Sequence, residues 1–312
     1  MNLSIIIPNY NGESLLKKNL PKIFDNLNDQ KEYKYEVIVV DDASTDSSIS
    51  YLEKLVKEFE NLRFFVNEKN LGFSSTVNKG VSQSRGEVII LLNSDVYPEE
   101  NFLKPLLGHF SDEDVFAVGC LDKSIEREKV VLRGRGLGEW KKGFLIHKRG
   151  EVNKNNTLWV SGGSGAFRKS TWEILGGFNE LYNPFYWEDI DLSYRALKSG
   201  YRVLFEPKSV VYHEHEKGAI KSKFNKNQIK AISYRNQFIF SWENATDYSL
   251  QVSHLIFLPY HIVKALFRMD FAFFIGFLNA LSLLPKVITS SFKYKKTFVK
   301  KDKEVMLAYN SS

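Results

Sequence analysis

The first 120 residues alternate short β-branched runs with longer segments whose apolar residues recur at helical spacing. That alternation commits the chain to a mainly parallel sheet covered by helices, because parallel strands need crossovers long enough to hold a helix. The expected strands are residues 3–8, 36–41, 63–66, 87–93 and 115–119. Between the first two, Leu15, Leu16, Leu20, Ile23, Phe24 and Leu27 share one helical face, and Pro21 is expected to kink or shift that helix. Between the second and third, Ser44 or Thr45 is the expected cap of a helix faced by Ile49, Leu52, Leu55, Val56 and Phe59.

Beyond residue 120 the pattern loosens. Residues 121–157 are rich in charge and glycine and predict a flexible loop or hairpin near a binding cleft. The run Arg133-Gly134-Arg135-Gly136-Leu137-Gly138 is not a dinucleotide fingerprint, since its glycines are wrongly spaced and no strong helix follows. Order returns at residues 159–167, then in a helix over 188–199 ended by Gly200. Two short strands follow, 201–206 and 210–213.

Charge divides the chain at His215. Residues 1–215 carry 28 Lys and Arg against 31 Asp and Glu, whereas residues 216–312 carry 15 against 6. Much of the phenylalanine also lies in this basic tail, so its expected partner is an anionic membrane surface, with no nucleic acid. The most apolar portion, residues 271–285, is shorter than the roughly 20 residues a spanning helix needs. Interfacial helices anchored by the seven lysines from Lys286 to Lys303 are expected instead. The alternative is packing of those aromatics on the catalytic body or in a homodimer. A single cysteine, Cys120, and an N-terminus without a charged n-region or cleavage site predict a cytoplasmic protein, peripheral on the membrane.

Ligands of open parallel sheets bind at the carboxyl ends of the strands. Three strands here end in polar residues: Pro8-Asn9-Tyr10-Asn11-Gly12, Asp41-Asp42-Ala43-Ser44-Thr45-Asp46 and Asn93-Ser94-Asp95. Turn chemistry explains any one of them, but three at one sheet edge point to a site. Asp95, at the rim of the core, suits a divalent cation on a diphosphate. Asp42 suits a base edge or ribose, and Tyr10 can stack on the base. Asn70-Leu71-Gly72-Phe73 opens a helix whose N-terminus favours a negative group. Glu188, Asp189 and Asp191 start another helix after Phe185-Tyr186-Trp187, an aromatic setting that would desolvate a carboxylate and improve it as a base. His213 and His215, two apart, project to one side of a strand and could share an ion with Asp95.

These motifs resemble the family 2 glycosyltransferases, inverting enzymes of the GT-A fold. Within them the likeness is to the non-processive, rhamnosyltransferase-like group that builds bacterial surface polysaccharides. Ser4 to Gly12 is similar to the family's opening strand and base-binding loop, with Pro8 and Tyr10 in it. Val39 to Asp46 is similar to its second signature, with Asp42 on the nucleobase. Asn70 to Phe73 with Asn78 and Gly80 is similar to its third. Asn93-Ser94-Asp95 resembles the metal-binding Asp-x-Asp segment with Asn93 replacing the first acid, leaving Asp95 and, by the same resemblance, His213 for a Mg or Mn ion.

The resemblance makes Asp189, beside Glu188, the base that deprotonates the acceptor, and it places Trp187 and Gly163 on the acceptor side. It implies a nucleoside-diphosphate sugar donor and a glycan or lipid-linked glycan acceptor. The implied fold is α/β, a doubly wound, mixed and mainly parallel GT-A sheet. Residues 1–215 would form the catalytic domain and residues 216–312 a helical, membrane-facing appendage. The Gln-x-x-Arg-Trp motif of processive synthases is absent. The missing first acid keeps open a second class of function, a non-catalytic, membrane-docked nucleotide-sugar-binding partner of another transferase.

Overall fold

The computed structural model describes residues 1–28, 30, 32–126, 129–214 and 223–310. The strands are β1 (Asn2–Asn9), β2 (Lys34–Asp41), β3 (Leu62–Val66), β4 (Val88–Leu92), β5 (Val96–Pro98), β6 (Val115–Glu126), β7 (Lys129–Arg133), β8 (Gly136–Lys141), β9 (Phe144–Arg149), β10 (Ser164–Arg168) and β11 (Arg202–His213). The helices are α1 (Glu13–Asn28), α2 (Ser48–Leu55), α3 (Phe73–Ser82), α4 (Leu103–Gly108), α5 (Lys169–Leu175) and α6 (Glu188–Lys198). In the tail follow α7 (Lys226–Asn244), α8 (Tyr248–Phe267), α9 (Phe271–Ser282), α10 (Leu284–Lys295) and α11 (Asp302–Asn310).

The main sheet runs β3-β2-β1-β4-β10-β6-β11-β5, with β7 paired to β6. Its first four strands are parallel; β10 is antiparallel to both β4 and β6, and β6 runs parallel to β11. A mixed, mainly parallel sheet is therefore observed as expected, but the 115–119 strand is not the neighbour of β4. The small residues of β10 take that place, because Gly165 lets Val160 approach: a Cβ there would lie 2.2 Å from its Cγ1.

Both faces of the sheet are covered, so β1 and β2 read as unbroken apolar runs. Ile5, Ile7, Val37 and Val39 face α1, α2 and α4. Ile6, Ile38 and Val40 face the opposite core, built with Val77, Trp172 and Ile190. That second core continues into the tail through the fully buried Phe238, Ile239 and Phe240 of α7. Each such side chain contributes roughly 1.5–3 kcal/mol.

Several local expectations change. Pro21 lies inside α1 without ending it, since the buried stripe of Leu16, Leu20, Ile23, Phe24 and Leu27 holds the helix together across the lost hydrogen bond. Neither Ser44 nor Thr45 caps α2, whose N-cap is Ser47. Ser44 Oγ instead donates to Asp41, 2.6 Å, and accepts from the Asn11 amide, 2.8 Å. Within residues 121–157 the hairpin alternative holds over the loop: they extend β6 and form the hairpins β6–β7 and β8–β9. The two strands expected after Gly200 are one strand, β11, with a register shift between Glu206 and Val210.

The tail is helical. Its longest apolar helix is α8 rather than the 271–285 segment: with 20 residues and only 11% of its apolar window buried, it has the length and composition of a membrane span. It lies along the body nonetheless, because His254 Nδ1 donates to Gly143 O and His261 Nε2 to Lys142 O at the β8–β9 turn, each at 2.8 Å.

Candidate active site

A cavity of about 310 Å³ opens at the carboxyl ends of β1, β2 and β4. Of the residues singled out in the sequence, Pro8, Tyr10, Asp42, Asn70, Asn93, Ser94, Asp95, Gly163, Glu188 and Asp189 line it. Phe185 and Tyr186, the aromatic setting expected for the acids, line it too, as do Ser161, Gly162, Lys223 and Phe224, which sequence reasoning did not assign to the site.

The loops after β1 and β2 are knitted together. Asn9 Nδ2 donates to Asp41, 2.8 Å, and Asn11 Oδ1 accepts the Thr45 amide, 2.7 Å. Asp41 is thus spent on structure, whereas Asp42 faces the cavity. Asp42 Oδ1 accepts from Leu71 N and Asn67 Nδ2, both 2.8 Å, and Oδ2 accepts from Gly72 N, 2.9 Å. The negative group expected before α3 is therefore Asp42 itself. The next amides, Phe73 N and Ser74 N, donate to Pro184 O and Asn183 Oδ1, 3.0 Å each, leaving no open anion site there. Asn70 donates to Asp42 O, 3.3 Å, and Lys223 Nζ lies 4.6 Å over the Tyr10 ring, on a face a base would use.

Asn78 is corrected by the structure: it lies outside the cavity. Its side chain bonds both the carbonyl and the amide of Phe178, at 2.8 and 3.0 Å, tying α3 to residues 177–180. Trp187 is a second correction. It is 4% exposed and packs on Phe240 and His147, so the aromatics facing the cavity are Phe185 and Tyr186. Gly163 is there for close approach, since a Cβ would lie 2.5 Å from Asn93 Nδ2.

At the far end, His213 sits between two carboxylates, with Nε2 3.2 Å from Asp95 and Nδ1 3.0 Å from Asp122. Burial alone would lower the imidazole pKa, but the hydrogen bonds and charges of Asp122 and Asp95 outweigh it and raise it to about 9. The donor set fits a hard cation: one carboxylate and one imidazole oriented from behind by Asp122, with diphosphate oxygens to complete the shell. Among the described residues no group of three or more His, Cys, Asp or Glu is arranged as a metal site, so substrate oxygens would have to supply the rest. His215 lies outside the described residues.

Glu188 and Asp189 begin α6, immediately after Tyr186 and Trp187, whose φ values of 70° and 77° are left-handed. Burial, then the charge of Asp189, pushes Glu188 well above the usual carboxylate range. Glu188 Oε2 is buried without a hydrogen-bond partner. Burial also raises Asp189, to about 6, with the amides of Ile190 and Gly162 pulling the other way. Burial thus holds the proton more strongly on Glu188 and leaves Asp189 the readier of the two to ionise, the division of labour expected of a general-base site.

An open α/β sheet with a polar cavity at its strand ends and a carboxylate shifted by burial is the arrangement of a group-transfer enzyme. The family model described as glycosyl transferase family 2 matches residues 4–175, and the chain belongs to that family. It is therefore an enzyme, a glycosyltransferase, with relatives in polysaccharide synthesis. The O-antigen chain rhamnosyltransferase RfbN of Salmonella typhimurium is 26% identical over 290 residues, covering 89% of this chain and 88% of that one. Among solved structures, a mannosyltransferase of Pyrobaculum calidifontis in complex with GDP-Man and Mn2+ superposes with a TM-score of 0.56 at 18% identity, over 98% of this chain and 84% of the other. TarS of S. aureus, residues 1–349 in complex with UDP-GlcNAc, gives 0.61 at 16% identity, over 100% and 92%. These two likenesses establish the GT-A fold.

Proposed function

We propose that the chain moves a sugar from a nucleoside-diphosphate sugar to a hydroxyl of a glycan or lipid-linked glycan in cell-surface polysaccharide synthesis, with inversion and with a divalent cation. The observation that carries this reading is one cavity walled by Asp42, Asp95 and Asp189 together.

Asp42 accepts a hydrogen bond from the base, and Tyr10 stacks on it once Lys223 moves aside. Asp95 and His213 would hold the Mg or Mn ion, which when bound supplies positive charge against the leaving diphosphate. Asp189 takes the proton of the acceptor hydroxyl as its oxygen bonds to the anomeric carbon. The bond to the diphosphate oxygen breaks on the opposite face, so configuration inverts without a covalent intermediate. Glu188, whose ionised form burial and the charge of Asp189 disfavour, stands beside it as the second acid of the pair. The rhamnosyltransferase relative supports a surface-polysaccharide role. A panel of UDP, GDP and dTDP sugars, with Mg or Mn and then chelator, is expected to give chelator-sensitive release of one nucleoside diphosphate. Release that is indifferent to chelator would remove the cation from the mechanism.

We further propose that the enzyme is cytoplasmic and docks on an anionic membrane. The exposed Leu255, Phe267, Met269, Phe271 and Leu278 are flanked by Lys142, Lys264 and Arg268. Cosedimentation with anionic vesicles, lost on replacing Phe267 and Phe271 by serine, tests this; a salt-resistant dimer without vesicle binding would reassign the face.

A further inference from the structure

We propose that Asn236 of α7, braced by Arg235, is a positioning residue for glycosyl transfer that holds the turn carrying Glu188 and Asp189 in its reactive shape. This rests on the reading of Asp189 as the base, and it goes beyond it by assigning a catalytic task to the C-terminal helices.

The turn needs holding. Tyr186 and Trp187 are consecutive non-glycine residues with left-handed φ, a conformation that costs on the order of 1–2 kcal/mol per residue and persists only where surroundings over-determine it. Asn236, fully buried, supplies the surroundings. Its Nδ2 donates to three carbonyls of the turn: Tyr182 O at 3.1 Å, Phe185 O at 2.9 Å and Tyr186 O at 2.8 Å. Its Oδ1 accepts from Arg235 Nε at 2.8 Å, which fixes which way the amide faces. Arg235 Nη2 reaches Tyr182 O at 3.2 Å and also donates to Asn183 O. One polar pair on α7 thus takes four carbonyls, from residues 182, 183, 185 and 186. The dyad begins two residues later.

Only an amide does this at position 236. A carboxylate of the same shape would set an oxygen against three carbonyl oxygens, and an apolar side chain would take the side-chain donor from Phe185 O and Tyr186 O, leaving Tyr182 O to Arg235 alone. The turn would relax, and a misplacement of about 1 Å at the base is enough to cost on the order of a hundred-fold in rate. The loops after β1 and β2 are held by other contacts, those of Asp41, Asp42 and Asn11, and would keep most of the donor affinity, although the start of α3 also bonds the turn through Pro184 O and Asn183 Oδ1.

The test is a kinetic cycle on the full chain with Asn236→Asp, Asp189→Asn and the double variant. The expected result is a fall in kcat of about a hundred-fold for Asn236→Asp with donor KM changed less than threefold. On top of Asp189→Asn the same substitution should add less than about twofold, because residues that act through one another are not additive. Unchanged kcat in a folded Asn236→Asp, or the same loss in both backgrounds, would overturn the proposal. If Asp189→Asn is itself active, the base assignment falls, and the split between kcat and KM alone judges the clamp. Should Asn236→Asp not fold, Arg235→Lys serves instead: it keeps the charge, loses the Nε contact, and is expected to lower kcat roughly fivefold at constant donor KM.

Discussion

The two walls of the cleft are held in opposite ways. The donor wall is self-supporting: Asn9 with Asp41, Asn11 with Ser44, and Asp42 with Leu71 and Gly72 join loops that lie within the first 75 residues. The catalytic wall is held from far along the chain. Its turn hangs on Arg235 and Asn236, while Glu243 accepts from Asn179, 2.8 Å, and Tyr182, 3.0 Å. Binding is thus built from local contacts and catalysis from long-range ones, so the two should be separable by mutation.

The sharpest cut is Asp189→Asn. It should reduce transfer by about a hundred- to ten-thousand-fold while calorimetry shows nucleotide binding intact. Because burial holds Asp189 at about 6, the wild-type kcat should rise with pH through that value as the base ionises, and level off above it. A profile flat from pH 5 to about 8 would point to another base. Next is the donor wall. Asp42→Asn removes a charged acceptor and should weaken nucleoside diphosphate binding about tenfold, with kcat kept within about threefold; equal losses in both would erase the division between the walls.

The smallest effect concerns the support itself. Burial first, then the charge of Asp191, raises Glu243 to about 8. A carboxyl raised above its unfolded value of 4.5 favours the fold at low pH and loses that contribution as pH climbs from there through 8. The melting temperature of Glu243→Gln should therefore gain on the wild type between pH 5 and 9, by a few degrees. A constant difference would mean that Glu243 stays ionised throughout.

Much of the donor wall was legible in the sequence because its residues close β-branched runs, and strand ends of a parallel sheet converge. Asn78 misled, since an Asn beside α3 looks the same whether it meets substrate or bonds the backbone of Phe178. Trp187 misled because an aromatic before an acid suits a sugar as well as a core; its left-handed φ turns the ring inward against Phe240. Residues 121–149 left loop and hairpin open, because their charges suit exposed strand faces as well as a loop; pairing decides for the hairpins. Asn236 left a signal that went unused: it stands two residues before the apolar run Phe238-Ile239-Phe240, and a polar residue so near such a run must find partners when buried.

The packing of α9 on α7 joins two parts of the tail. At Gly276 there is room for a hydrogen only: a Cβ would lie 2.7 Å from Ala231 O and 2.9 Å from Arg235 N. The Tyr234 Cβ lies equally near, 2.7 Å, so α9 sits directly against the backbone of α7 at the turn before Asn236. Of the two helices, α9 carries the exposed Phe271 and Ile275, and α7 carries Asn236. The exposed surface of the tail and the residue that braces the catalytic turn thus belong to two helices in direct contact.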